Sequence, residues 1–227
     1  MVTFVLIPGA GGVAWYWHQV VPLLKSAKHA AFAVDLPGDD KKVGLSGYAN
    51  RVVEAIGERN DVVLVAQSLG GFTAPLVCER VRVRMLVFVN AMIPLPGETA
   101  NDWWEHTGST AARTAAARQG GYSETFDVPT YFLHDVPPEI VKQGEAHERS
   151  EADTVFAEPC RFKSWPEVPI HAIAGRDDRF FPLNFQQRVV EERLHAKVDV
   201  LPGGHLIALS NPRGVADQLL DYLSAVR

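Results

Sequence analysis

Cysteine is scarce in this sequence, in which Cys78 and Cys160 are the only two among 227 residues. Two cysteines cannot form a disulfide framework, and neither belongs to a C-x-x-C pair, so metal ligation by cysteine is not expected. Both are interpreted as reduced thiols that pack as small apolar side chains. No cluster of histidine and acidic residues has the spacing of metal ligands. We therefore expect no metal and no other cofactor.

The sequence also lacks a long apolar run and an excess of basic residues. No run reaches the roughly 18 apolar residues that a membrane-spanning helix needs. The 22 basic residues against 27 acidic ones give a net charge of −5, which argues against nucleic acid as a partner. The apolar segment Val2–Ile7 has no basic residues before it and is interpreted as a strand, not a signal peptide. We expect a cytoplasmic monomer or homodimer without a membrane partner.

The apolar residues that are present form short β-rich runs that alternate with longer helical patterns. Most runs are apolar throughout, which is typical of strands buried on both faces of a parallel sheet. The runs recur about every 30 residues, the size of a βα unit. The sequence therefore predicts an α/β fold with a mostly parallel sheet of about six strands flanked by helices. Strands are predicted at Thr3–Ile7, Ala31–Val34, Val62–Val65, Arg84–Val89, Ile170–Ala174 and Ala196–Leu201, and helices at about 15–27, 46–59, 69–81, 183–194 and 211–226.

The alternation is interrupted once, between residues 91 and 168. This segment is rich in proline and aromatic residues, contains no convincing strand, and has helix-compatible pieces at 101–117 and 138–150. We predict that 91–168 is a mostly helical cap, or lid, inserted into a core formed by 1–90 and 169–227. A separate small domain is the alternative interpretation of this segment.

The strongest local motif follows the third predicted strand. The apolar run Val62–Val65 leads into Ala66-x-Ser68-x-Gly70 and then into a helical pattern. This is the G-x-S-x-G nucleophile elbow with alanine in place of the first glycine. Small residues are required on both sides because the serine occupies a tight turn that projects its hydroxyl above the sheet. The motif predicts Ser68 as a catalytic nucleophile, and a serine that merely caps a helix is the alternative.

A serine nucleophile needs a base, and the base needs an orienting carboxylate. In this kind of site the chain order is Ser, then Asp or Glu, then His. His205 follows the last predicted strand in a glycine turn and is the predicted base. Asp177 and Asp178 both follow the preceding strand and compete for the role of the acid. We favour Asp178 because of the spacing Gly175-x-x-Asp178-x-x-x-Pro182, which leaves Asp177 to face solvent or to cap the turn.

An oxyanion formed during acyl transfer needs two N–H donors. The backbone of Leu69, directly after the serine, is one candidate. The glycine-rich loop Pro8–Gly12 allows a second N–H to turn inward, and we assign it to Ala10. The glycines of this loop also resemble part of a dinucleotide-binding fingerprint. That alternative is less favoured because Ala14 replaces the third glycine and the acidic candidate, Asp35, lies in a predicted turn.

Together these motifs resemble the α/β-hydrolase superfamily along the whole chain. More narrowly, the sequence is similar to the branch that contains plant methyl-ester esterases and hydroxynitrile lyases, whose bacterial members are called salicylate-esterase-like. The resemblance implies an α/β-hydrolase fold and ester chemistry through a Ser-His-Asp triad. The segments that carry it are Phe4–Ala10, Trp15–Trp17, Asp35–Gly38, Ser68–Gly71, Asp178 and His205.

Two positions depart from the pattern of this branch. The family commonly has His-Gly where this chain has Pro8-Gly9, but the backbone donor of Ala10 does not depend on that histidine. The lyases resemble one another in having a threonine at the position of Ala10 and a lysine directly after the catalytic histidine, where this chain has Leu206. Because a leucine cannot stabilise a leaving cyanide, the resemblance favours an ester hydrolase over a lyase.

The expected substrate is a small apolar or aromatic ester, because the inserted segment is rich in aromatic side chains. Packing within the cap is the alternative for its two tryptophans, and anchoring the cap by hydrogen bonds is the alternative for its histidine–aspartate pair at 134–135. Two other functions stay open: a hydroxynitrile-lyase-like or other non-hydrolytic enzyme with the same triad, and a small-molecule receptor with little turnover. The candidate substrate-binding residues are Trp103, Trp104, His18, His134 and Leu206.

Overall fold

The computed structural model describes residues 1–225. In this part of the chain six strands form one parallel sheet in the order β2-β1-β3-β4-β5-β6. Each strand lies within two residues of its predicted bounds, and the predicted α/β class is confirmed. The strands are β1 (Thr3–Ile7), β2 (Ala30–Ala33), β3 (Val62–Gln67), β4 (Met85–Val89), β5 (Ile170–Gly175) and β6 (Val198–Leu201).

The helices follow the predicted pattern with one change. The helix expected at 15–27 is divided into a 3-10 turn, Ala14–Trp17, and a short α-helix. The helix expected at 211–226 begins at Pro212, and residue 226 lies outside the described residues. No helix within residues 1–225 is both long enough and apolar enough to cross a membrane. The α-helices are α1 (Val20–Ser26), α2 (Leu45–Ile56), α3 (Gly70–Cys78), α4 (Ala100–Thr107), α5 (Ser109–Gly120), α6 (Pro138–Gly144), α7 (Asp153–Ala157), α8 (Leu183–Leu194), α9 (Ile207–Ser210) and α10 (Pro212–Ala225).

Two apolar layers cover the sheet, one on each face. Successive side chains of a strand point to opposite faces, so Leu64 and Ala66 of β3 pack toward α2, α3 and α8, whereas Val63 and Val65 pack toward α1 and α10. All six residues of β3 are buried. Burying a valine or leucine side chain stabilises the fold by about 1.5–3 kcal/mol. The continuous apolar sequence of β3 is therefore explained by helices on both faces.

The carboxyl ends of the central strands lie level at one edge of the sheet. Ile7 of β1 pairs with Ala66 of β3, and Gln67 pairs with Val89 of β4. From β1 the chain moves outward to β2 and then returns to β3 on the other side of β1. Loops diverge at such a reversal of strand order, and the crevice between them is where ligands bind in open α/β sheets. Ser68, directly after β3, lies at this position.

The segment between β4 and β5, residues 91–168, is here called the insertion. All of it is described, and it contains α4 to α7, a π-helical turn at Pro129–Leu133 and a 3-10 turn at Glu145–His147, with no strand. A buried ion pair joins the insertion to α8: Arg193 donates to the two carboxylate oxygens of Glu98 at 2.5 and 3.0 Å. The insertion is therefore fastened to the core by polar contacts as well as by apolar packing.

Candidate active site

Ser68 lies on a tight turn between β3 and α3. Its φ of 49° is in the left-handed region, which non-glycine residues rarely adopt. The turn is compact, because a Cβ on Gly70 would lie 2.5 Å from the carbonyl oxygen of Pro8. The backbone N–H of Ser68 donates to Val89 of β4 at 3.3 Å. This strained, well-supported turn is the geometry that the elbow motif predicts.

A chain of hydrogen bonds links Ser68, His205 and Asp178. The Ser68 Oγ lies 3.1 Å from the His205 Nε2, and the His205 Nδ1 lies 2.9 Å from the Asp178 Oδ2. The three side chains are largely buried, with 8%, 1% and 4% of their surfaces exposed. Asp177 instead pairs with Arg176 at the surface. The structure thus brings together the predicted nucleophile, base and acid, and places Asp178, not Asp177, against the imidazole.

Asp178 is held in place by the start of the following segment. Its Oδ1 accepts hydrogen bonds from the backbone N–H groups of Phe180 and Phe181, both at 2.8 Å. Its Oδ2 also accepts from the Gln186 Nε2 at 3.3 Å. These contacts leave Oδ2 directed at His205. The arrangement fixes which imidazole nitrogen carries the proton, because Nδ1 must donate to the carboxylate.

Two polar residues that the sequence did not single out hold the loop of His205. Asn90, at the end of β4, donates to the carbonyl oxygens of Gly204 and His205 at 2.9 and 3.0 Å, and accepts from the N–H of Gly175 at 2.7 Å. Gln67 donates to the His205 carbonyl at 3.3 Å. A polar residue that ends a buried strand run is a signal that could have identified both.

Three phenylalanine rings enclose the imidazole of His205. Phe132, from the π-helical turn of the insertion, stacks on it with centroids 4.9 Å apart and 18° between the planes. Phe180 and Phe181 pack edge-on at 5.0 and 5.1 Å. The three rings therefore surround the imidazole, which is only 1% exposed, with apolar surface and exclude water from it.

The predicted oxyanion donors flank Ser68. Leu69 directly follows it, and the loop of Ala10 lies against it, because a Cβ on Gly9 would lie 2.8 Å from the Cβ of Ser68. A turn closed by the bond from Gly12 N to Gly9 O places Ala10 at its tip. Within residues 1–225 the N–H groups of Ala10 and Leu69 have no acceptor. Two free donors beside a serine hydroxyl suit the stabilisation of an oxyanion.

Acidic side chains of the insertion accept hydrogen bonds from the loops beside Ser68. The Glu151 Oε2 accepts from the N–H of Gly11 at 2.8 Å, and the Asp135 Oδ2 accepts from the N–H of Gly204 at 2.5 Å. Burial raises the pKa of Glu151, and hydrogen bonds from Tyr48 and backbone groups offset this only in part. The His134 Nε2 lies 3.1 Å from the carbonyl oxygen of Asp177. These contacts tie the insertion to the loops of Ala10, His205 and Asp178.

A cavity of about 210 Å³ opens beside the loop of Ala10 and Gln67, the residue that precedes Ser68. It is here called the serine cavity. The core contributes the loop of Ala10, the 3-10 turn and Gln67, and the insertion contributes mainly aliphatic side chains. Its walls are predominantly apolar, with few polar groups. The lining residues are Pro8, Gly9, Ala10, Val13, Trp15, Tyr16, Gln67, Val128, Leu133, Val136, Ile140, Val141, Gly144, His147, Glu148, Leu206 and Leu209.

Of the five residues predicted to bind substrate, Leu206 lines the serine cavity and the other four do not. Trp103 is fully buried and donates to the carbonyl of Ile93 at 3.0 Å, and Trp104 lines a different groove. His18 stacks behind the cavity wall on Trp15, and His134 makes the loop contact described above. Packing and hydrogen bonding hold these four residues away from the cavity, and their role in substrate binding stays a prediction.

Trp15 and Tyr16 supply the aromatic wall instead. Both belong to the 3-10 turn that follows the loop of Ala10, in the segment on which the family resemblance rests. That resemblance was a signal that could have assigned them to the site. Both cysteines are free thiols, and burial raises the pKa of each, to about 12 for Cys78, which disfavours the nucleophilic thiolate form. In residues 1–225 no group of three or more potential ligands is placed to hold a metal ion.

A sequence profile of the alpha/beta hydrolase family matches residues 4–218. The chain belongs to the alpha/beta hydrolase family. Among curated relatives, this hydrolase is 25% identical to the alpha-hydroxynitrile lyase of Arabidopsis thaliana, in an alignment that covers 98% of this chain and 96% of the relative. It is 37% identical to the probable esterase PIR7A of rice (Oryza sativa subsp. indica), over 42% of this chain and 41% of the relative.

The fold of the hydrolase is also that of known structures. Polyneuridine aldehyde esterase superposes with a TM-score of 0.77 over 98% of this chain and 99% of the other, at 23% identity. This likeness concerns the fold alone. The curated relatives confirm the resemblance to the branch of plant esterases and hydroxynitrile lyases.

Proposed function

We propose that this hydrolase is a serine esterase that cleaves carboxylic esters of a small apolar or aromatic group. The observation that carries the proposal is the buried hydrogen-bond chain from Asp178 through His205 to Ser68. A serine hydroxyl becomes nucleophilic when an adjacent base accepts its proton, and the base works when a third group orients it. Esterases among the curated relatives support the same reaction class.

The proposed mechanism has two steps. His205 Nε2 takes the proton of Ser68 as Oγ attacks the ester carbonyl, and the N–H groups of Ala10 and Leu69 stabilise the resulting oxyanion. The imidazolium then protonates the departing alcohol and leaves an acyl-enzyme. In the second step His205 activates a water that hydrolyses the acyl group. Asp178 holds the tautomer and stabilises the imidazolium in both steps.

The size and lining of the serine cavity support a small apolar substrate. Its volume of about 210 Å³ is somewhat larger than the roughly 150 Å³ of an engineered apolar cavity that holds benzene. Trp15 and Tyr16 offer ring faces to such a group, and Leu206 and Leu209 offer aliphatic surface. We propose that the insertion acts as a lid that supplies the remaining walls and excludes water from the reaction.

Cyanohydrin cleavage is the second candidate, because a hydroxynitrile lyase aligns with nearly the whole chain. Ester hydrolysis is favoured over it by the side chains at the site. A departing cyanide needs a cationic or hydroxyl group beside it, and the positions next to the triad hold Ala10 and the aliphatic Leu206. Release of cyanide from mandelonitrile by the purified protein, with no turnover of esters, would reverse this preference.

The test is a screen of p-nitrophenyl esters with short, long and aromatic acyl groups, run with the wild type and with Ser68→Ala. We expect turnover of small or aromatic esters by the wild type and a loss of about 10³-fold or more in kcat for the variant. Ser26→Ala is the matched control, because Ser26 is exposed at the end of α1, and it should retain full activity. A serine-directed phosphonate should label Ser68, as read by mass spectrometry.

Two results would contradict the proposal. One is a folded wild type that hydrolyses no ester and takes up no phosphonate. The other is an unchanged rate in Ser68→Ala. Tight binding of a ligand in the serine cavity without a burst of p-nitrophenol would instead identify a receptor.

A further inference from the structure

A second concave site lies between the insertion and the segment that follows β5. It is an open groove of about 300 Å³, and none of its lining residues lines the serine cavity. Its walls combine aromatic rings, two hydroxyl-bearing residues of α5 and one cationic side chain. The lining residues of this groove, here called the Arg113 groove, are Trp104, Ser109, Thr110, Arg113, Phe126 and Phe180.

Arg113 is held in the groove by aromatic rings alone. Its guanidinium carbon lies 5.3 Å from the ring centroid of Tyr131, 5.6 Å from that of Phe126 and 5.8 Å from that of Phe180. Within residues 1–225 the guanidinium makes no hydrogen bond and no ion pair, and its Nε is buried without a partner. By contrast, the exposed Arg118 on the same helix is paired with Glu124.

An unpaired guanidinium beside open space has a defined chemical preference. It carries five N–H donors in a planar fork, which matches the two oxygens of a carboxylate. Aromatic rings hold the cation in place but accept none of these hydrogen bonds. An anion that enters the groove satisfies donors that the protein leaves free, whereas a neutral molecule cannot replace the charge.

The walls of the groove add a preference for a flat apolar group. Phe126 is 40% exposed, and the rings of Trp104 and Phe180 pack edge-on to each other beside it, with centroids 5.7 Å apart. The volume exceeds that of a cavity which holds one benzene ring, roughly 150 Å³. We propose that the Arg113 groove is a binding site for a small aromatic carboxylate, whose carboxylate pairs with Arg113 and whose ring packs on these side chains.

The groove shares one wall with the candidate active site. Phe180 lines the groove and also packs edge-on against the imidazole of His205 at 5.0 Å. A ligand in the groove would therefore contact a ring that encloses the predicted base. The binding proposal itself does not depend on ester hydrolysis, because Arg113 and its rings are in place whatever reaction occurs at Ser68.

Calorimetric titration with benzoate, beside benzamide as the neutral analogue, tests the proposal on the full chain. We expect saturable binding of benzoate and binding of benzamide that is weaker by about tenfold or more, since a hydrogen-bonded charge contributes that much. Arg113→Gln should lower the affinity for benzoate by a similar factor. Arg118→Gln is the matched control, one exposed arginine on the same helix, and should bind benzoate as the wild type does.

A second variant keeps the test valid if Arg113→Gln fails to fold. Thr110 is exposed and lies three residues before Arg113 on α5, so Thr110→Asp places a carboxylate within reach of the guanidinium. It should weaken benzoate binding while leaving the melting temperature unchanged. Leu206→Phe narrows the serine cavity and should leave benzoate binding intact.

Three outcomes would overturn the proposal. The first is no saturable binding of benzoate at millimolar concentration. The second is equal binding of benzoate and benzamide, or unchanged binding of benzoate in both Arg113→Gln and Thr110→Asp. The third is a loss of benzoate binding in Leu206→Phe together with unchanged binding in Arg113→Gln and Thr110→Asp. That result would place the ligand in the serine cavity.

Discussion

Ser68 and Asn90 both adopt left-handed backbone conformations, with φ of 49° and 45°, at the ends of neighbouring strands. Such conformations cost about 1–3 kcal/mol each and persist where the surroundings enforce them. Each is tied across the sheet edge, Ser68 by its N–H to Val89 and Asn90 by its N–H to Ile173. The sequence predicted the first, because the elbow motif demands small neighbours, but Asn90 has no motif and its role depends on contacts made far along the chain.

The choice between Asp178 and Asp177 can be decided by substitution. We expect Asp178→Asn to lower kcat for ester hydrolysis by about 10³- to 10⁴-fold, because a neutral amide cannot stabilise the imidazolium and its NH2 group holds the wrong tautomer by donating to Nδ1. Asp177→Asn is the control, since Asp177 pairs with Arg176 at the surface, and should stay within tenfold of the wild type. Steady-state kinetics with one p-nitrophenyl ester, with circular dichroism as the check of folding, measures both. A larger loss in Asp177→Asn would exchange the two assignments.

The insertion is the element whose helical character could be predicted but whose contacts could not. The absence of strand patterns marked residues 91–168, and the structure has helices there. The aromatic composition of the segment made Trp103 and Trp104 candidates for substrate binding. Neighbouring residues on a helix, however, point about 100° apart. Trp103 therefore packs into the core against Phe181 while Trp104 faces the Arg113 groove. Sequence pattern gives the period of a helix, and the packing partner decides which face is buried.

Glu151 offers a test of whether the insertion positions the loop of Ala10. Glu151→Ala removes the acceptor of the Gly11 N–H, and we expect kcat/KM to fall by about ten- to a hundredfold because the neighbouring oxyanion donor loses its support. Glu151→Gln keeps an acceptor oxygen and should restore most of the activity. Glu139→Ala, at an exposed position of α6, is the matched control.

The readouts of this test separate positioning from general destabilisation. A positioning role predicts a lower kcat/KM at temperatures well below the melting transition, which differential scanning fluorimetry locates for each variant. If Glu151→Ala loses stability but keeps its kcat/KM at low temperature, Glu151 serves the fold alone.

At the scale of the whole molecule, the site exists because of the strand order. Six strands could be predicted from apolar runs, but their order could not, since it depends on which distant strands pair. The order places β1 beside β3, and this juxtaposition brings the loop of Ala10 to Ser68. His205 follows β6 and lies 137 residues after Ser68 along the chain. The triad therefore depends on the pairing of strands that are far apart in the sequence.

The insertion lies between β4 and β5 in the sequence, and the buried ion pair of Glu98 and Arg193 joins it to α8. Burial raises the pKa of Glu98, but hydrogen bonds from Arg193, His106 and the backbone of Leu95, with the charge of Arg193, lower it by more. The pKa of Glu98 in the folded protein is therefore below its ordinary value of 4.5. A carboxyl group of this kind adds stability that is fully present above the unfolded pKa and is lost as pH falls through the folded one.

Glu98→Gln should destabilise the protein by about 3–5 kcal/mol at neutral pH, because it leaves the buried Arg193 cation without a counter-charge. The variant should also lose part of the decline in stability that the wild type shows below pH 4.5, since one linked proton is removed. Urea denaturation followed between pH 3.5 and 7 measures both effects. Glu192→Gln breaks only the exposed pair with Arg188 and should change stability by less than about 1 kcal/mol. Equal effects of the two substitutions would show that the buried pair does not fasten the insertion.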